Sequence, residues 1–278
     1  MNDKLDPRLT PKQRKKSKRP PKYIDPKNIK IKKVKVSTQT YHKRQTEFRR
    51  HRINVLIITL LVLLGLSCLI IGNFDHVQGY FSHLLQDSVT GQAKNNKQKA
   101  KPNYDFKKVK PVNAQTLADA YRKRSNYKAI GQVAVPSLKI NLNIYRGVGN
   151  VELNLGAGSM KPDQVMGKGN YCLAGHNMDD NRSYFSPLYS IAANKGKLVG
   201  RKVYLMNYYT VYYYKIDKAY FIAANRTDLL ENSKGKRQIS LFTCDFTGAG
   251  RLFVQGKYLG KQPLNLASSS VRKAFQVK

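Results

Sequence analysis

Acidic side chains are few in this sequence: 16 Asp and Glu stand against 51 Lys and Arg among 278 residues, a formal net charge of +35. So basic a chain is expected to meet anionic partners, and nucleic acid, a lipid surface and an acidic wall polymer all qualify on charge alone. Cysteine is scarcer still, with only Cys68, Cys172 and Cys244. Two cysteines and one histidine fall in the part of the chain that reads as folded, without metal-ligand spacing, which argues against a zinc site. Neither a metal nor another cofactor is expected. Long apolar runs are limited to one, and no internal repeat is present. The length suits one well-buried domain with extensions and is crowded for two.

The basic excess is concentrated at the start. Residues 1–52 hold 19 Lys/Arg against 4 Asp/Glu, including KQRKKSKRPPK at 12–22. With little apolar surface to bury, this arm is expected to be disordered. It offers only Tyr23, Tyr41 and Phe48 for base stacking and no nucleic-acid module, so it reads as a topogenic tail resting on anionic lipid. Directly after it comes the single apolar run, INVLIITLLVLLGLSCLIIG at 53–72. About twenty uncharged residues at about 1.5 Å each match a hydrocarbon core of about 30 Å. The run begins too far into the chain for a secretory signal and ends in LIIGNF, so it reads as an uncleaved membrane anchor. The basic block RRHR at 49–52 abuts it, which predicts a single-pass protein with a cytoplasmic N-terminus and residues 73 onward outside.

Beyond the anchor, 73–126 reads as a polar, proline-punctuated stalk, with AQTLADAYRKR at 114–124 spaced as a helix. From Tyr127 the texture changes to short alternating runs: AIGQVAVPSLKINLNIYRGV, NYCLAGH, KVYLMNYYTVYYYKIDKAYFIA, QISLFTC and RLFVQGKYL. Only short helices fit between them, near VELNLGAG and PLYSIAAN. The prediction is a mostly-β domain over 127–262, a closed barrel of about eight strands, followed by a tail at 263–278. In the aromatic run YYTVYYY at 208–214, a strand with one face in the barrel and one wet accounts for the tyrosines.

Cys244, at the end of SLFTCDF, admits four readings: a buried small hydrophobe, half of a disulfide with Cys172, a metal ligand or a nucleophile. A nucleophile needs a proton acceptor and something to steady the charge that develops on the attacked carbonyl. Of five histidines, His42 and His51 are cytoplasmic by the topology above, and His76 and His83 lie just beyond the membrane. His176 remains, in LAGH at another strand end. Seven residues past Cys244, Arg251 follows the turn TGAG, so a hairpin would return its guanidinium beside the cysteine. Strand alternation gives Ala174 the face of His176 and Phe242 the face of Cys244, making both candidate pocket walls.

These segments resemble the sortases, most closely class A, the housekeeping type with an N-terminal membrane helix. The resemblance covers about 130–260 and rests on NYCLAGH, ISLFTCDF, Arg251, IGQVAVPSLKINLNIYRGV and GAGSMKPDQVMGKGNY. It implies a sortase-type β-barrel and a cysteine transpeptidase that joins secreted proteins bearing a Leu-Pro-x-Thr-Gly-type sorting signal to a peptidoglycan precursor of the lipid II type. By that resemblance Cys244 attacks the Thr carbonyl and forms a thioester. His176 protonates the leaving Gly amine, Arg251 holds the substrate backbone or the oxyanion, and Thr243 helps shape the site. The loop 223–238 matches the substrate-contacting segment, which makes Leu229 and Leu230 candidates for holding the signal's Leu and Pro. Ser240 stands where members often have Thr and keeps the hydroxyl. Asp163 is the single carboxylate in the segment where some members bind calcium, so calcium independence is expected. No C-terminal apolar anchor follows, which favours general protein anchoring over pilin assembly. The competing readings are a cell-surface cysteine hydrolase and a non-catalytic basic protein that binds the wall.

Overall fold

The computed structural model describes residues 38–72, 79–82, 94–106, 109–178, 180–245 and 248–275. His76, His83 and the part of the basic arm before Thr38 lie outside these. The chain divides into two units, Met1–Gly65 and Leu66–Lys278.

The first unit holds most of α1 (Thr38–Gly72), which includes one candidate membrane span, Gln45–Leu69, of mean hydropathy 2.3. The helix starts well ahead of the uncharged run. Lys, Arg, Gln and Glu are good helix formers, so a helix nucleated in the apolar stretch propagates back through TEFRRHR. At about 1.5 Å per residue the span reaches about 37 Å, enough to cross a bilayer core of about 30 Å.

The second unit is a closed barrel of eight strands in the order β1-β2-β3-β4-β7-β8-β6-β5. The strands are β1 (Gly131–Val135), β2 (Ile140–Arg146), β3 (Ala157–Ser159), β4 (Asn170–Ala174), β5 (Lys202–Met206), β6 (Thr210–Ala223), β7 (Gln238–Cys244) and β8 (Gly250–Pro263). Two neighbour pairs are parallel, β2 with β3 and β4 with β7; the others run antiparallel. Closure depends on Gly131, because a Cβ there would lie 2.2 Å from the Met206 carbonyl oxygen across the β1–β5 seam. The interior is filled by alternate residues of each strand, among them Val133, Ile144, Leu173, Leu205, Tyr214, Leu241 and Val254, with Phe185 and Leu188. This interdigitated apolar filling drives the closure.

Short helices cover the barrel where it would otherwise expose apolar surface. α2 (Ala114–Lys123), held by a capping box between Asn113 and Thr116, lays Leu117 and Ala120 on Tyr145 and Leu155. α3 (Asn150–Leu155) and α4 (Ser186–Ala193) fall where sequence spacing expects them. The segment expected to be a stalk folds back on itself, with Lys99 and Ala100 donating to Asn126 O (3.0 and 3.2 Å), and is tied to the loop after β2, where Val148 donates to Asn103 O (2.6 Å). The segment after β8 is likewise packed. Its helix α5 (Ser269–Ala274) buries Val271, with Phe275 beyond it, on Ala134, Tyr204, Met206 and Val211. This is why both faces of β6 are apolar near its start: Tyr214 points into the barrel, while Val211 and Tyr213 sit under α5.

Candidate active site

Of the three residues singled out by sequence, Cys244 ends β7, Arg251 stands at the start of β8 beside it, and His176 lies two residues past the end of β4, the other neighbour of β7. β7 aligns with β4 so that Cys172 faces Ser240 and Ala174 faces Phe242. The pairing continues past the strand end, where Gly175 N donates to Phe242 O (3.0 Å). Carried one residue further, the same alignment would bring the His176 backbone level with that of Cys244 on the neighbouring strand. On the other side, Cys244 pairs directly with Arg251 across the β7–β8 hairpin. Directly opposed residues on antiparallel strands share a face.

The hairpin turn is held by Asp245, whose backbone N–H donates to Gly250 O (3.1 Å) and whose Oδ2 accepts from Gly250 N (2.8 Å). Arg251 Nη1 donates to the turn carbonyls of Gly248 (2.8 Å) and Gly250 (2.7 Å). Its charge is therefore fixed at the turn, beside the cysteine.

Alternation separates the other candidates. Cys172, Ala174, Phe242 and Phe253 lie on the outer face with Cys244, while Leu173, Leu241 and Leu252 fill the barrel. Cys172, Phe242 and Phe253 form an apolar floor against which Met160, Ile222, Leu229 and Leu230 pack. Leu229 and Leu230 belong to a 3-10 turn, Thr227–Leu230, and are half-buried. Thr243 is 3% exposed, with its Oγ1 unpartnered among the described residues. Alternation turns it to the interior, behind Cys244. Sequence reading passed over Phe253, Ile222 and Tyr220; the signal was present in alternation along β8 and β6, with Tyr220 packing edge-on against Phe253 at 5.2 Å.

The site is dry. His176 is buried, packs edge-on against Tyr184 (5.5 Å between ring centroids), and its Nε2 has no hydrogen-bond partner among the described residues. Burial, which penalises the charged form, pushes its pKa down to about 4. Burial also pushes the Cys244 thiol above its ordinary value. Arg251 opposes that shift and Asp245 adds to it. The resting pair at neutral pH is therefore a thiol and a neutral imidazole. Cys172 and Cys244 are both free, and Cys172, in the floor, is pushed up to about 12 by burial. Among the described residues no group of three or more His, Cys, Asp or Glu comes together as a metal site.

A sortase-domain family profile matches residues 133–259, which include all three candidate residues. The sortase A of Streptococcus agalactiae is 32% identical over 233 residues, covering 80% of this chain and 91% of that protein. The chain belongs to the sortase family. This sortase is also 34% identical to Listeria monocytogenes sortase A over 152 residues, 55% of this chain and 64% of that one. A solved structure of Listeria monocytogenes sortase A covers 54% of this chain and 99% of its own at 34% identity, with a TM-score of 0.48. Membership makes this chain a cysteine transpeptidase, which sets aside the reading of a non-catalytic wall-binding protein.

Proposed function

We propose that this sortase is of the class A type and cleaves a Leu-Pro-x-Thr-Gly-type signal between Thr and Gly. Cys244 is the nucleophile, His176 the proton carrier and Arg251 the cation beside the developing charge. One observation supports the reading: Cys244 ends β7 between Arg251, its partner on β8, and β4, whose chain continues to His176, beside the apolar cluster of Cys172, Phe242 and Phe253.

Because the resting pair is neutral, attack and proton transfer are coupled. As Sγ bonds to the Thr carbonyl carbon, the thiol proton passes to the imidazole, whose buried Nε2 is free to take it. The imidazolium that forms is stabilised by the tetrahedral oxyanion, which the resting enzyme lacks, and Arg251 steadies that oxyanion. The C–N bond then breaks, the imidazolium gives its proton to the leaving Gly amine, and a thioester remains on Cys244. An amine of a lipid II-type precursor attacks the thioester, His176 accepts its proton, and the Cys244 sulfur leaves and takes that proton from the imidazolium, which restores the neutral pair. Phe242, Ala174, Leu229 and Leu230 line the groove for the signal's Leu and Pro, and Thr243 supports the cysteine strand from behind.

The α1 helix anchors the enzyme with its basic start in the cytoplasm and the barrel outside, where both substrates are. The ectodomain's own positive charge suits anionic wall polymers, and nucleic acid plays no part. The test is to incubate the chain in neutral detergent with a fluorogenic Leu-Pro-x-Thr-Gly peptide, with and without glycine oligomers. Cleavage that needs Cys244 and an amine adduct in the second sample are expected. Cleavage unaffected by amine would make the enzyme a hydrolase, and cleavage retained by Cys244→Ala would sink the assignment.

A further inference from the structure

The turn that carries Leu229 and Leu230 over the groove is held by polar contacts that none of the proposed catalytic residues makes. At their centre is Asn170, the first residue of β4, 1% exposed. Its backbone N–H donates to Asn232 Oδ1 (2.8 Å), and its Nδ2 donates to the carbonyls of Leu229 (2.9 Å) and Glu231 (3.2 Å). Its Oδ1 accepts from the Ser240 hydroxyl on β7 (2.8 Å). From the β3–β4 loop, Lys161 Nζ donates to the remaining carbonyl of the three, Leu230 O (2.9 Å), and to Asn232 Oδ1 (3.1 Å). Gly169, with φ of +51°, leaves room for this arrangement, since a Cβ there would lie 2.6 Å from Asn232 Oδ1.

A four-residue 3-10 turn has no stability of its own, so what fixes its place is whatever binds its backbone. Here three successive carbonyls are each taken by a side chain rooted in β4 or in the loop leading to it. Ser240 in turn orients the Asn170 amide so that both of its donors face the turn. We propose that Asn170 is a positioning residue: with Ser240, Lys161 and Asn232 it clamps the Thr227–Leu230 turn at a fixed height above the floor of Cys172, Phe242 and Phe253, and so sets affinity for the apolar part of the peptide. The clamp acts through Leu229 and Leu230 and touches no reacting atom. This rests on the sorting-peptide reading above.

The experiment uses the full chain in neutral detergent with Asn170→Ala, Lys161→Met, Ser240→Ala and Ser240→Thr. Losing a buried hydrogen-bonding hub is expected to raise KM for the fluorogenic peptide about tenfold in the Asn170 variant with kcat within about twofold, and less in the Lys161 variant. Ser240→Thr, which keeps the hydroxyl, is expected to restore most of what Ser240→Ala loses. Alkylation of Cys244 by iodoacetamide should not change. Amide hydrogen exchange over 227–232 should speed up at least about tenfold in the Asn170 and Lys161 variants. A merely structural role predicts instead a fall in kcat and melting temperature with KM intact. That result, or unchanged exchange in the loop, overturns the proposal. If Asn170→Ala does not fold, Lys161→Met, at a partly exposed position, decides alone. Failure of the parent enzyme to cleave the peptide refutes the sorting-peptide reading instead, while the exchange measurement still reads the clamp.

Discussion

Replacing Arg251 with glutamine removes the cation that strand pairing sets beside Cys244, and the consequence can be worked out from the sheet. Opposed Cβ atoms lie about 5 Å apart, and the guanidinium is turned back to the hairpin carbonyls, so about 6 Å separates charge from sulfur. At that distance Coulomb's law gives about 0.7 kcal/mol in bulk water and about 2.8 kcal/mol at an effective dielectric of about 20. Arg251 is half-exposed and screened, so a value near the lower end, about 1 kcal/mol, is appropriate. That is about a fivefold loss of thiolate at neutral pH. The assay is the pH dependence of Cys244 alkylation by iodoacetamide, because only the thiolate reacts. Three further variants isolate charge from geometry. Arg251→Lys keeps the charge and should keep the rate. Asp245→Asn keeps an acceptor for Gly250 N, removes the negative charge that raises the thiol pKa, and should speed alkylation. Cys172→Ala removes the second thiol of the barrel from the signal. An Arg251→Gln enzyme that alkylates as fast as the parent at every pH would refute the electrostatic role of Arg251.

The buried imidazole makes its own prediction: the acid limb of kcat/KM should fall toward about pH 4, well below an ordinary histidine, and His176→Ala should lose at least about a hundredfold in rate. An acid limb near about 6.5 would show that water reaches the ring. Glu152 is buried and its carboxyl is raised by desolvation, so the ionised form strains the fold. A folded pKa above the unfolded one means that stability is full below the unfolded value and declines as pH rises through the folded value. Glu152→Gln should therefore raise the melting temperature by about 1–3 °C at neutral pH and change nothing in acid, as differential scanning calorimetry would read. Gly131→Ala should cost about 2 kcal/mol or more in urea unfolding, because the new methyl meets the Met206 carbonyl across the seam. A variant as stable as the parent would show that the β1–β5 seam yields.

The strands legible in the sequence are those in which one residue type repeats at a fixed period. β1, β2, β5 and β7 announce themselves as runs of Val, Ile, Leu and aromatic residues between Gly and Pro, and the Cys244–Arg251 hairpin follows from TGAG alone. β3 does not, because Ala157–Ser159 is three small residues whose only mark is the partners found on either side. The packing of α5 and of residues 94–106 is equally silent locally. Each is polar at most positions and acquires its place from surfaces built far away in the chain. The site divides the same way. Cys244, His176 and Arg251 lie at strand ends where the pattern changes, so they stand out. Asn170 and Lys161 act through backbone carbonyls some sixty residues onward, and a contact to a carbonyl leaves no trace in the identity of the residue contacted.

The neutral resting pair also bears on how such an enzyme survives outside the cell, where its proposed topology puts it. Oxidants attack the thiolate and spare the thiol, so sensitivity follows thiolate content and access. Cys244 combines partial burial with a pKa held above the ordinary thiol value, which keeps it mostly protonated at neutral pH. In the proposed mechanism, activation is deferred until a peptide is bound and its carbonyl draws the proton transfer to His176. Peroxide should therefore inactivate the free enzyme no faster than it oxidises free cysteine, and a saturating unreactive peptide should not raise that rate. Asp245→Asn, which favours the thiolate, should be inactivated faster than the parent in proportion to its gain in alkylation. Equal peroxide sensitivity in the two enzymes, with alkylation rates apart, would break the link between thiolate content and oxidation on which the argument stands.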